Sequence, residues 1–183
     1  MEFRPTSLKD AMLILPEPLS DERGWFMRVF CDRELANAGL ESVFHQHNMS
    51  HNHRRGTLRG MHFQRPPHAE VKIVRCIRGA IHDVIIDLRP TSPTFLRWEG
   101  FTLTEESSVQ LYVPRGFAHG YLTLVDDSTV SYATSTPYAP HAEGGVRWDD
   151  PSFGIDWPEA ARVISDKDRA WPDFDPGTGG LEC

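Results

Sequence analysis

Between Gly56 and Thr134, short stretches rich in β-branched and aromatic residues recur about every ten residues, separated by turn-forming residues. Strands read from this rhythm cover 70–77, 80–88, 95–103, 109–113, 120–124 and 129–134. Within the first, Val71, Ile73, Arg75 and Ile77 alternate with Lys72, Val74 and Cys76, the period of two that sends successive side chains to opposite faces. Arg78-Gly79 and the segment 90–93, which begins and ends in proline, punctuate the run. Strands this short, this close together and with no helical pattern between them predict an all-β sandwich or jelly-roll barrel rather than an α/β sheet. Upstream, strands are expected over 11–16 and 25–30, with a turn at 21–24. A short helix is expected over 33–38, capped by Asp32 and ended near Gly39. Another is expected to begin over 158–161. A chain of 183 residues suits a single domain over its whole length, with 169–183 as a C-terminal tail.

Charge and composition exclude several classes of function. A formal net charge of −7 argues against general nucleic-acid binding, which needs an excess of lysine and arginine on one face. A small anionic ligand stays compatible where a few cations converge. No apolar run approaches membrane-spanning length, and Met1-Glu2-Phe3-Arg4-Pro5 lacks the apolar core of a signal peptide, so a cytoplasmic protein is expected. Cys31, Cys76 and Cys183 are widely separated and odd in number, which supports neither a disulfide framework nor a four-thiolate zinc site.

Chemistry concentrates in Gly56-Thr57-Leu58-Arg59-Gly60-Met61-His62-Phe63-Gln64, with Lys72 a short distance downstream. A histidine among apolar neighbours can serve as a proton acceptor, with Arg59 and Lys72 holding an anionic ligand over it. Taken alone, His62 reads first as a hydrogen-bonded core histidine. Two stretches resemble the cupin barrel signature: 56–79, with His62, Gln64 and Glu70, and Pro114-Arg115-Gly116-Phe117-Ala118-His119. In metal-binding cupins the position of Gln64 is a histidine. An amide is a poorer ligand for transition ions, so no metal site is assigned, and a metal centre of His62, Glu70 and His119 is the alternative. His45, His47, His51 and His53 have same-face strand spacing in a polar, loop-like context, read as surface or ligand-lining positions rather than chelators.

The wider set of motifs resembles the dTDP-4-dehydrorhamnose 3,5-epimerase family. It includes Asp21-Glu22-Arg23-Gly24-Trp25-Phe26, Gln46-His47-Asn48-Met49-Ser50, Leu58-Arg59-Gly60-Met61-His62-Phe63-Gln64 and Lys72-Ile73-Val74-Arg75. It continues through Arg78-Gly79, Asp83-Val84-Ile85-Ile86-Asp87, Pro114-Arg115-Gly116-Phe117-Ala118-His119-Gly120, Arg147-Trp148-Asp149-Asp150-Pro151 and Ser165-Asp166-Lys167-Asp168. These segments run in family order over most of the chain.

The resemblance implies a cupin-like jelly-roll barrel with a few short peripheral helices. It also implies cofactor-independent epimerisation of a nucleoside-diphosphate-linked 4-keto-6-deoxyhexose. A C4 ketone acidifies the hydrogens at C3 and C5, so a base can remove one and leave an enolate reprotonated from the other face. By the resemblance His62 is that base, Asp168 the carboxylate behind it, Tyr132 the acid opposite and Lys72 the cation at the C4 oxygen. Arg59 and His119 hold diphosphate and sugar; Arg23, Gln46, His47, Asn48, Glu143 and Lys167 line the pocket, with Tyr138 and Phe117 at its border. N-terminal strands exchanged between subunits imply a homodimer. The family usually has glutamate where Arg28 stands, so a guanidinium with only donors would suit cytosine or guanine rather than thymine. Glu70 replaces a more usual glutamine, and Arg115 an acidic residue. Inversion at one carbon alone is the related alternative.

Overall fold

The computed structural model describes residues 1–177 and 180–182. The chain opens with β1 (Glu2–Pro5), β2 (Met12–Leu15), β3 (Leu19–Asp21), β4 (Gly24–Phe26), helix α1 (Asp32–Asn37) and β5 (Gln46–Asn52). The barrel strands follow: β6 (Thr57–Gln64), β7 (Lys72–Arg78), β8 (Ala80–Asp87), β9 (Trp98–Thr104), β10 (Gln110–Val113), β11 (Phe117–Thr123) and β12 (Ser128–Thr134). The chain ends with β13 (Glu143–Gly145), β14 (Val163–Ile164) and helix α2 (Asp166–Arg169).

Two sheets form a jelly roll, one ordered β1-β2-β10-β7-β12-β5 and the other β13-β6-β11-β8-β9, with β14 parallel to the start of β6. The alternation expected over 70–77 decides the packing. Val74 and Cys76 point between the sheets, where they meet Leu111, Val113 and Val130 of their own sheet and Ile81, Ile85, Leu103, Phe117 and Tyr121 of the other. Burying each such aliphatic side chain contributes roughly 1.5–3 kcal/mol. Ile73 points the other way and is covered by Leu35 of α1 and by Phe44. The outer face of the second sheet, with Met61, Phe63, Val84 and Ile86, is covered by Val146, Phe153, Phe174 and Leu181. The described part of the C-terminal tail is therefore packed against the barrel.

Several local expectations are corrected. The helix expected over 33–38 forms one residue earlier; Cys31 holds its N-cap position, and the Asp32 carboxylate accepts only the neighbouring Arg33 N–H at 2.7 Å. No helix forms over 158–161, and the short helix lies at Asp166–Arg169. The strand expected over 25–30 is a brief hairpin, β3–β4, whose Leu19, Trp25 and Phe26 are exposed. The polar stretch taken as loop-like is the edge strand β5, since pairing with β12 stabilises it despite weak intrinsic preference. Cys31 and Cys76 are free thiols, and burial pushes Cys76 up to about 11; Cys183 lies outside the described residues.

Candidate active site

Arg59 and His62 are three residues apart, so regular alternation would put them on opposite faces of β6. The register with β11 shows how both come to face inward. His62 pairs with His119 and Arg59 with Tyr121, three steps on β6 against two on β11. The extra residue is a β-bulge, a device that re-aims side chains. Gly60 occupies it with φ +125°, and a Cβ there would stand 2.6 Å from the Gly120 Cα, so glycine is required.

His62 Nε2 lies 2.6 Å from Asp168 Oδ1. Asp168 is buried on α2, where Ser165 caps the turn by accepting the Asp168 N–H at 3.1 Å. Its second oxygen accepts the Gly60 N–H at 3.3 Å. Burial pushes the carboxyl's pKa up, but the His62 hydrogen bond and charge and the Gly60 N–H outweigh it, leaving Asp168 below the usual carboxylate value. Trp171 lies edge-on to the imidazole at 6.4 Å between centroids, in space left by Gly145, where a Cβ would overlap the indole. His119 has a similar arrangement, with Nε2 2.9 Å from Oδ2 of the fully buried Asp83.

From the facing sheet, Tyr132 and Asn48 are cross-strand partners on β12 and β5, and Tyr132 packs against the core between the sheets. Burial raises the phenol's pKa above its ordinary value; the Arg59 charge pulls it down and the Glu70 charge adds to the rise. Lys72 begins β7 and pairs with Glu70 at 3.0 Å, both side chains largely enclosed. Gln64 Nε2 donates to the other Glu70 oxygen at 3.3 Å. Arg59 Nε donates to Asn52 Oδ1 at 2.7 Å.

A second network forms beside His62. Lys167 donates to Glu143 Oε1 at 2.5 Å, the Tyr138 hydroxyl donates to Oε2 at 2.8 Å, and the Tyr138 N–H donates to Gln46 Oε1 at 2.7 Å. Burial raises the Glu143 pKa, and Lys167, Tyr138 and the charge of His62 more than offset this, leaving it lowered.

Of the residues read from the sequence, His62, Asp168, His119, Lys72, Tyr132, Arg59, Asn48, Gln46, Tyr138, Glu143 and Lys167 thus fall on surfaces that face or border the space between the sheets. Phe117 is a core residue of that space. Three do not join them within one chain. His47 is a correction: in β5 it lies between Gln46 and Asn48, so alternation turns it outward, beside Phe30 and Arg75. Arg23 is exposed on the β3–β4 hairpin and paired with Asp21, and Arg28 pairs with Glu34 at 3.1 Å. Arg115 bonds Glu41 at 2.8 Å.

The metal-centre alternative is also corrected. His62 and His119 each commit Nε2 to a carboxylate, and Glu70 faces the Lys72 ammonium. Their donor atoms do not converge. Residues that sequence reasoning passed over include Asp83, Asn52 and Tyr121. An aspartate in the apolar run Val84-Ile85-Ile86 and its flanks was the available signal, since a carboxylate buried on a strand needs a partner.

The family model for dTDP-4-dehydrorhamnose 3,5-epimerase matches residues 5–176. The chain belongs to that family. A dTDP-4-dehydrorhamnose 3,5-epimerase of Methanothermobacter thermautotrophicus is 46% identical over 175 residues, covering 93% of this chain and 94% of the relative. The crystal structure of the Bacillus anthracis epimerase, with TDP and pyrophosphate bound, has a TM-score of 0.91 at 40% identity, covering 94% of this chain and 99% of that one. ChmJ, a 3'-monoepimerase of Streptomyces bikiniensis solved with dTDP-quinovose, gives 0.86 at 36% identity, covering 93% and 86%. The jelly roll and the epimerase class expected from the motifs are thereby established.

Proposed function

We propose that this chain inverts C3 and C5 of a dTDP-linked 4-keto-6-deoxyhexose by proton removal and return. The observation that carries the reading is His62 on one sheet, backed by Asp168 of α2, with Tyr132 and Lys72 on the facing sheet. Its Nε2 being held by Asp168, His62 presents Nδ1 as the base. The carboxylate stabilises the imidazolium that forms when His62 takes the C3 proton, and orients the ring. Electrons from the broken C–H bond move into the C3–C4 bond and onto the carbonyl oxygen, where the Lys72 ammonium stabilises the enolate charge. Tyr132, kept protonated by burial, returns a proton to the opposite face. Repetition at C5 completes the double inversion.

Arg59, with His119 beside the sugar, supplies charge for the diphosphate, and Lys167 extends the cationic rim. The nucleotide is dTDP, because Arg28, the residue that pointed to cytosine or guanine, is already engaged by Glu34. The working unit is a single domain in a cytoplasmic homodimer. Leu19, Trp25 and Phe26 on the β3–β4 hairpin are 71%, 64% and 68% exposed, an apolar surface suited to a second copy. The same hairpin would carry Arg23 to the partner's pocket.

The test is proton NMR in D₂O with dTDP-, CDP- and GDP-linked 4-keto sugars. Deuterium entering both C3 and C5 of the dTDP sugar supports double inversion. Entry at C3 alone would favour the single-position reading, with ChmJ as the similar protein. A preference for the CDP or GDP sugar would return Arg28 to the base pocket, and unchanged exchange in His62→Ala would remove His62 as base.

A further inference from the structure

We propose that His51, His53 and Asp127 form a binding site for a divalent transition ion of the zinc class, on the outer face of the edge strand β5 and separate from the barrel interior. The sequence reading gave the two histidines surface roles because their context looked like loop. In the structure His51 lies on β5 and His53 follows its last residue, Asn52, with the two imidazoles side by side. Their rings meet edge to face at 4.8 Å between centroids. Asp127 comes from the turn between β11 and β12, and its Oδ1 lies 3.5 Å from His51 Nε2 and 3.9 Å from His53 Nδ1.

The three donor atoms lie within 4.8 Å of one another, and among the described residues no other such group of histidine, cysteine and carboxylate donors occurs. Ligand atoms around a tetrahedral Zn²⁺ are about 3.3 Å apart, given bonds near 2.0–2.1 Å, so small rotations of exposed side chains close the set. Two imidazoles and one carboxylate suit Zn²⁺, and the outward side leaves the fourth position to water.

Two further features fit a ligand set better than a chance cluster. His51 Nδ1 is 3.0 Å from Thr129 Oγ1. With Nδ1 carrying the proton and donating to that hydroxyl, Nε2 is left as a lone pair aimed at Asp127, the outer contact that metal-binding histidines commonly make. The Asp127 backbone N–H donates to the His53 carbonyl at 3.3 Å, which ties the turn to the segment bearing both imidazoles. Its carboxylate has no lysine or arginine within ion-pair distance among the described residues, whereas neighbouring Asp126 accepts the Arg55 N–H. A bound ion would pin the free edge of the sheet to the adjacent turn.

Isothermal titration of the full-length protein, stripped with a chelator and titrated with ZnCl₂, tests this, with Co²⁺ absorption reporting the ligand environment. The expected result is one Zn²⁺ per chain, weakened at least about tenfold in His53→Ala and Asp127→Asn, and roughly tenfold in Thr129→Val through loss of the outer contact. Zn²⁺ should raise the thermal midpoint of the wild type and not of His53→Ala. These side chains lie outside the epimerase site, so epimerase activity in the variants, when the metal is absent, serves as the folding control. The proposal is overturned if no stoichiometric binding occurs, if His53→Ala and Asp127→Asn bind as tightly as wild type, or if binding disappears instead in His68→Ala. That last variant removes the His68–His141 pair, whose Nε2 atoms are 3.3 Å apart.

Discussion

Replacing Asp168 by asparagine removes one charge while keeping the shape of a side chain that is 4% exposed. The carboxylate has two acceptor oxygens, one for His62 Nε2 at 2.6 Å and one for the Gly60 N–H at 3.3 Å. An amide cannot accept at both ends. If its oxygen keeps the Gly60 N–H, its NH₂ faces His62 Nε2 and forces that nitrogen to become an acceptor. The ring proton then moves to Nδ1, the atom that must take the substrate proton, and the base is blocked. A wrong tautomer of this kind costs about 10⁴-fold in turnover, and loss of charge alone about 10²-fold. The expected fall in kcat lies between these, with KM nearly unchanged because Asp168 does not touch substrate. Stopped-flow or NMR measurement of C3 deuterium wash-in, with circular dichroism to confirm folding, reads it directly. Turnover within about threefold of wild type would refute the claim that Asp168 sets the state of His62.

Tyr132→Phe should lower epimer formation by about 10²- to 10⁴-fold while His62 still exchanges the C3 proton with solvent, so deuterium enters without inversion; NMR distinguishes the two. Gly60→Ala should cost about 3 kcal/mol or more in denaturant unfolding, because its Cβ meets the Gly120 backbone at a positive φ. Stability should fall in acid. Asp168 and Asp87 both have lowered pKa values in the folded state: burial raises each, His62 with the Gly60 N–H outweighs it at Asp168, and Arg89, Ser92 and Thr94 outweigh it at Asp87. Each contributes stability that is complete above the unfolded carboxyl value of about 4 and is lost as pH drops through its lowered folded value. A thermal midpoint that stays flat from neutral pH to well below 4 would contradict this.

Much of the fold was legible because the barrel strands are also the apolar, alternating stretches. The strands over 80–88 and 129–134 were legible from β-rich composition and turn residues; β8 is buried on both faces, Ile81 and Ile85 inside and Val84 and Ile86 outside, and so reads as a nearly continuous apolar run. β5 was not legible: Gln46-His47-Asn48-Met49-Ser50 is polar, and its strand state comes from pairing with β12, a long-range contact with no local trace. The same blindness assigned His47 to the pocket with its neighbours, since which face a residue takes follows from the strand state. In the site, His62, Lys72, Tyr132 and Asp168 were reached by motif resemblance. Their arrangement came from the same resemblance and has no trace in local pattern, because Asp168 approaches from a segment more than a hundred residues away in sequence. Nothing in the string Asp126-Asp127 reveals that a turn carries one carboxylate to two imidazoles while its neighbour caps a backbone.

The bulge in β6 means that part of the active site is encoded as a length. Pairing β6 in a regular ladder, with no bulge at Gly60, would leave every reactive side chain in place in the sequence. That ladder would send either Arg59 or His62 to the far side of the sheet. A residue with no side chain thus decides which side chains meet, and a relative of the same length whose strand paired here without a bulge would be expected to turn away the phosphate-side cation or the base, however well its letters agree.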